Sequence, residues 1–467
     1  MCLPRCDAET PCPVTNKDSK NMCVAGVCTP VPVASAEVTV DLAAARQTLT
    51  GFGATIAYGE DQLTSHPQKT ALFNAMFSGL GLDVVRLRMR HGHLGDDNLA
   101  PTSELLAAAT SSLGHAPTVI MTSWSPPAAL KANGSSRCSG NPDTCMLTKT
   151  VAGEFDYAGF ASYWRSGLDA YAQVGVRPDY IGIQNNPNWL PTSAESGEAS
   201  MFLPSEGTTN VSILGVPTTV EYPGFAQAQA ATIEALQGIA SMPRILAPET
   251  SDAGSIEAYL DELDLSQVDA LSHHLYGVDP EAVDLDAFAA VGELATTSNR
   301  PIFQTEMQAD GLGTAMLIHY TTVVEGASAY IQTALNGAMT GPTVNSQSLI
   351  GVDESSYTLY GPYYAMRHFA LNTDPGWARV DATSTGESLL VSAWRSVDQS
   401  AVTLILVNPG NSGVDAELVI PDLTSMSSRI TRTVFGGLER AAELGSLSAE
   451  KVLRVPARAV VTVAFSE

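Results

Sequence analysis

Basic residues are scarce in this chain. Twenty-four Lys and Arg stand against 49 Asp and Glu, giving a formal charge of −25. Such a field repels phosphate backbones and anionic lipid surfaces, which argues against nucleic acid or a membrane as partner. Long apolar runs are also missing: no stretch reaches the roughly 18 residues that a membrane-spanning helix needs. No charged-then-apolar segment precedes Cys2, so Met1 is read as the start of a form from which an export signal has been removed. No GxGxxG turn marks a dinucleotide site. The cysteines never form CxxC pairs, which disfavours a structural zinc site. No cofactor is implied, and a neutral polymer is the natural ligand class.

What is present points to a large folded protein. Of 467 residues, 45% are apolar and only 16% charged, enough to bury a sizeable core. Cys2, Cys6, Cys12, Cys23 and Cys28 crowd the N-terminus, while Cys138 and Cys145 flank a short polar loop. This pattern reads as a disulfide-stapled N-terminal segment plus a separate Cys138–Cys145 loop staple, and hence as a secreted, extracellular chain.

Four regions follow from texture. Residues 1–35 hold the Cys-rich segment and a Pro/Ala linker, and residues 36–50 include the strand-like Glu37-Val-Thr-Val-Asp41, expected to join a side domain. Residues 51–369 alternate short β-branched runs with Ala/Leu-rich helical stretches, the pattern of a (β/α)₈ barrel. The eight strand candidates are Leu49–Thr55, Val84–Arg88, Thr118–Ser123, Tyr180–Asn185, Arg244–Ala247, Ala270–Tyr276, Ile302–Glu306 and Ser328–Thr333. Residues 370–467 read as an antiparallel β-sandwich of short strands broken by Asn-Pro-Gly and Gly-Gly turns.

A barrel collects its functional groups at the C-terminal ends of its strands. Those ends carry Arg86, Trp124, Asn185 with Asn186, His274 with Tyr276, and Glu306. Each alone has a bland explanation as core, cap or buried ion-pair partner. Together they suit glycoside cleavage, which needs a carboxylate on one side of a sugar ring and a proton donor on the other. Glu306 is the candidate nucleophile, with Arg86 placed to pair with it and the Tyr276 hydroxyl to orient one oxygen. His274, Trp124 and Asn185 are expected to grip the sugar, with Trp189 and Tyr58 completing the substrate-binding set. His273 and His274 are adjacent on a strand, point to opposite faces and so do not share a metal ion.

Several segments resemble glycoside hydrolase family 30: Gly51-Phe-Gly-Ala-Thr55, Gly81-Leu-Asp-Val-Val-Arg-Leu-Arg88, Thr122-Ser-Trp-Ser-Pro-Pro127, Ile183-Gln-Asn-Asn-Pro-Asn-Trp189, Ala247-Pro-Glu-Thr250, Ser272-His-His-Leu-Tyr-Gly277, Gln304-Thr-Glu306 and Tyr363-Tyr-Ala-Met-Arg-His-Phe369. The resemblance extends over residues 37–467 and is greatest to the bacterial xylanase branch. It implies a retaining double displacement on a β-linked plant polysaccharide, with Glu306 as nucleophile and position 186 as acid/base. A β-1,4-xylan is the first expectation, and a β-1,6-glucan or another β-glycoside of the family the alternative.

Asn186 breaks the pattern, because an amide neither gives nor takes the proton that a glutamate would. Three readings are ranked: a knockout made to trap a bound sugar, a pseudoenzyme that binds glycan, and an enzyme with a relocated acid. Glu195 and Glu198, the nearest other acids, are read as solvated loop residues. The segment Gly351–Gly361 lacks Arg and Lys, so a uronate requirement is not expected, and Tyr357 and Tyr360 are possible stacking surfaces. The chain is expected to act as a monomer on polysaccharide or oligosaccharide.

Overall fold

Short runs of small and β-branched residues set the frame. The computed structural model describes residues 21–24, 27–30, 34–95, 98–138, 142–191, 197–213, 215–339, 347–421, 423 and 426–467. Cys2, Cys6, Cys12 and Glu195 lie outside the described residues. Asn21–Val24 and Val27–Pro30 pair antiparallel, with Cys23 opposite Cys28. The described chain divides into two units, Gln47–Trp377 and the residues up to Arg46 together with Ala378–Glu467.

The larger unit is a closed barrel of eight parallel strands taken in chain order. They are Gly51–Ile56, Val84–Arg88, Thr118–Thr122, Tyr180–Gly182, Arg244–Thr250, Ala270–His274, Ile302–Glu306 and Ala329–Gln332. Pairing of Ala329–Gln332 with Gly51–Ala54 closes the ring. Inside, Val84, Ile120, Tyr180, Leu246, Ala270, Phe303, Ala329 and Ile331 form one buried cluster, the filled interior expected of this architecture.

Helices cover the barrel, and one of them shows how they position the strand ends. In Tyr157–Gln173, Asp156 caps the N-terminus by accepting from the Gly159 N–H at 2.8 Å. Phe160, Trp164, Leu168 and Tyr171, at helical spacing, turn inward and are buried. The Trp164 indole N–H then donates to the Ile183 carbonyl at 3.2 Å, pinning the chain just after the fourth strand, where the candidate residues lie. That strand ends at Gly182, three residues earlier than expected. The fifth runs to Thr250 instead of Ala247. A register shift between Pro248 and Thr250 leaves Glu249 as the extra residue of a bulge, a device that re-aims a side chain.

The smaller unit is a single nine-stranded sheet that includes Ala34–Thr48 between Ala378–Ser384 and Val414–Val419. Ala34–Thr39 pair in parallel with Val414–Val419, while the other resolved pairings of this sheet are antiparallel. The two layers of the expected sandwich thus belong to one curled sheet. Its inner residues, among them Val38, Val40, Leu404, Leu406, Val461 and Val463, share one apolar core. Among the described residues no helix is long and apolar enough to cross a membrane.

Asp83, just before the second barrel strand, is buried, and its carboxyl is pushed up to about 8, by burial first and by Asp374 second. His115 stands 3.7 Å away and is half exposed. The folded value lies above the ordinary 3.8, so the contribution of Asp83 to stability is fully present below that pH and is lost as pH rises toward about 8. Asp83→Asn is therefore expected to raise Tm by a few degrees at pH 8 and to leave it nearly unchanged at pH 4. An equal shift at both pH values in a thermal scan would contradict this assignment.

Candidate active site

The C-terminal strand ends surround a cleft of about 480 Å³ lined by Trp124, Asn185, Asn186, Trp189, Gly197, Glu198, Ser251, Tyr276 and Glu306. Glu306 ends the seventh strand. Its neighbour Thr305 is the extra residue of a bulge, since His273 pairs with Gln304 and His274 with Glu306. Both Glu306 oxygens are held: Arg86 Nη1 donates to Oε2 at 2.7 Å, and the Tyr276 hydroxyl donates to Oε1. Burial first, and the charge of Glu306 second, raise the Tyr276 phenol far above its ordinary value. It therefore stays a donor.

Arg86 organises more than one carboxylate. Its Nη2 donates to Asn185 Oδ1 at 2.7 Å and stands 3.0 Å from Glu249 Oε1, to which Nε donates at 3.2 Å. Trp124 lies against the guanidinium, 4.5 Å from ring centroid to Cζ. Arg86 and Glu249 are fully buried. Burial raises the Glu249 carboxyl and nearby Glu306 adds to this, against the opposing pull of Arg86. Room for Glu249 depends on Gly182, where a Cβ would stand 2.0 Å from Glu249 Oε2. The sequence reading gave Glu249 no role. Its signal was a glutamate after proline at a strand's C-terminal end.

Asn186 sits at a backbone φ of +47°, a left-handed conformation that Asn tolerates better than most side chains. Its Oδ1 accepts from His274 Nδ1 at 2.7 Å. His274 is fully buried behind the cleft rather than on its surface. Burial, then Arg86, then His273 hold its imidazole well below the ordinary value, so the ring is neutral. With the Nδ1 proton donated to Asn186, the His274 Nε2 is buried without a partner among the described residues. His273 faces the other way, its Nε2 2.9 Å from Glu325 Oε1.

Trp189 is 39% exposed and Tyr58 49%. Trp189 lines the cleft over Gly197, whereas Tyr58 is outside the lining. Tyr58 stacks under Arg88 at 4.6 Å and donates to Glu198 Oε2 at 2.7 Å. Arg88 Nη1 donates to both Glu198 oxygens, at 3.1 and 3.2 Å. This corrects the reading of Glu198 as a solvated loop residue, because its side chain is only 9% exposed and is ion-paired. The segment carrying it is braced: Gly197–Glu198 pair with Arg137–Cys138, and Cys138 is disulfide-bonded to Cys145, as the spacing suggested. Beneath them Lys131 donates to the Ala199 carbonyl, and burial lowers its ammonium to about 7. Tyr357 and Tyr360 do not line the cleft.

Two substitutions separate the tasks of this network. Arg86→Lys keeps the charge, but a single ammonium cannot reach three acceptors in a plane. It is expected to lower kcat/KM on an activated aryl glycoside by about 10²-fold and to lower Tm. Glu249→Gln retains the shape and an acceptor for Arg86, and kcat/KM is expected to stay within about tenfold of the unmodified chain. Equal damage from Glu249→Gln and Glu306→Gln would contradict this division.

No family model matches the chain. Among curated proteins it is 24% identical over 444 residues to the glucuronoxylanase XynC of Bacillus subtilis, covering 92% of this chain and 91% of that one. Among solved structures, the glycoside hydrolase family 30 subfamily 8 xylanase Xyn30A from Clostridium acetobutylicum superposes with a TM-score of 0.69 at 20% identity, covering 92% of this chain and all of that one. A conserved exported protein from Bacteroides fragilis superposes at 0.72 with 15% identity, again over 92% of this chain and all of that one. The two structures share the fold, and the curated relative spans nearly the whole length. Strand-end motifs, fold and relatives converge on one likeness: the chain is similar to xylanases of glycoside hydrolase family 30.

Proposed function

We propose that this chain is a retaining glycosidase of β-linked polysaccharide, most like a β-1,4-xylanase, with Glu306 as the nucleophile. One observation carries the reading: a carboxylate at the floor of a sugar-sized cleft, one oxygen held by Arg86 and the other by Tyr276. Attack by Glu306 on the anomeric carbon would form a glycosyl ester, and water would later release the sugar. Asn185, whose carbonyl oxygen is fixed by Arg86, presents its amide to the cleft, where a sugar 2-hydroxyl can be bound. Trp124 and Trp189 supply stacking surfaces.

The name of the curated relative supports a xylan-type polymer. A uronate requirement is not part of the proposal, since Gly351–Gly361 contains no basic residue. The Cys138–Cys145 disulfide and the acidic charge fit an extracellular protein.

Asn186 occupies the acid/base position and cannot transfer a proton, which costs about 10² to 10⁴ in rate, most for a sugar leaving group. Asn186→Glu is expected to raise hydrolysis of xylo-oligosaccharides by about that factor, measured by reducing-sugar release. The other reading that Asn186 favours is a glycan-binding barrel without turnover. That reading predicts no gain from Asn186→Glu on any β-linked polysaccharide and no release of an aryl group by the unmodified chain.

A further inference from the structure

The surroundings of Asn186 offer no substitute proton donor among the described residues. Glu249 is turned to Arg86, Glu198 is tied to Arg88 and Tyr58, and the Tyr276 hydroxyl is spent on Glu306. His274 directs its Nδ1 proton to Asn186 Oδ1 at 2.7 Å. That bond orients the amide of this cleft-lining residue, turning its NH₂ away from His274 and leaving it without a partner among the described residues. Asn186 also has a backbone conformation that suits its residue type. The amide is thus a hydrogen-bond donor held at the cleft beside Glu306.

Charge points the same way. A glutamate at position 186, once ionised, would repel an incoming anion, and an amide does not. The Arg86, Glu249 and Glu306 group also becomes less negative by one charge when Glu306 is converted to a neutral glycosyl ester. The intermediate state is the one most receptive to an anion.

We propose that this site moves glycosyl groups between partners that need no proton: it takes a β-glycoside whose aglycone leaves as a stabilised anion, and passes the sugar to a small carboxylate or similar anion in preference to water. This deepens the proposed function and rests on Glu306 as nucleophile. In the first step a Glu306 oxygen bonds to the anomeric carbon while the carbon–aglycone bond breaks, the electron pair leaving with the aglycone as an acidic phenolate or a carboxylate. In the second, an acceptor carboxylate bonds to that carbon, and the bond to Glu306 breaks to restore its carboxylate. Two inversions retain the β configuration. The Asn186 NH₂ donates a hydrogen bond to the departing and arriving oxygens without giving up a proton.

The test uses the full chain with 2,4-dinitrophenyl and unsubstituted phenyl β-xylobiosides, with acetate or azide added and chloride as the ionic-strength control. Dinitrophenolate release is expected to exceed phenol release by at least about 10³-fold, and acetate or azide to accelerate turnover about tenfold or more. The expected product is the β-xylobiosyl acetate or azide, identified by NMR. Asn186→Glu should narrow the gap between the two aglycones and lose the acceleration by anions, while its release of dinitrophenolate shows that it is folded. Dinitrophenolate release with no anion acceleration, or with xylobiose as the main product in acetate, overturns this proposal and leaves Glu306 as nucleophile intact. Unchanged release in Glu306→Ala overturns the underlying reading itself.

Discussion

A single buried guanidinium holds the site together. Arg86 reaches Glu306, Glu249 and Asn185 from one planar fork, with Trp124 stacked against it. Without it, two carboxylates would share a dry space with no counter-charge, a destabilisation on the order of 3–5 kcal/mol. With it, Glu306 keeps one fixed direction and cleft-lining Asn185 is held by its side-chain oxygen. Lysine could supply the charge but not the geometry.

The far side of the cleft is organised by a second arginine. Arg88, two residues along the same strand, faces the same side of the sheet and fixes Glu198 together with Tyr58. The disulfide loop braces the same segment through the Arg137–Cys138 ladder. An acid anchored in this way serves as a wall and not as a mobile proton carrier. In the proposed reaction Asn186, held by a neutral His274, would meet the substrate as a hydrogen-bond donor only.

The barrel was legible in the sequence because its strands are short apolar runs separated by helical periods, and parallel closure follows from that alternation. Strand ends were less legible. Gly182 and Thr250 mark where the ladder stops, and both depend on close approaches and a bulge that periodicity does not record. Barrels place chemistry at strand ends, which singled out Arg86, Asn186, His274 and Glu306 as candidates, and the fold brings them together at or just behind one cleft. Glu249 was not singled out, since its sequence neighbours do not tell a buried carboxylate that shares Arg86 from a helix cap. Glu198 was read as solvated because its arginine partner lies more than a hundred residues away in sequence. Tyr58 was grouped with the substrate contacts, and its hydroxyl is instead bonded to Glu198.

The most direct measurement of the central claim is the intact mass of the full chain during turnover of 2,4-dinitrophenyl β-xylobioside, followed by peptide mapping. Because Asn186 cannot activate water, a xylobiosyl adduct should accumulate on the peptide that contains Glu306 and be absent from Glu306→Gln. Turnover without any adduct, or an adduct on a different carboxylate, would contradict the account.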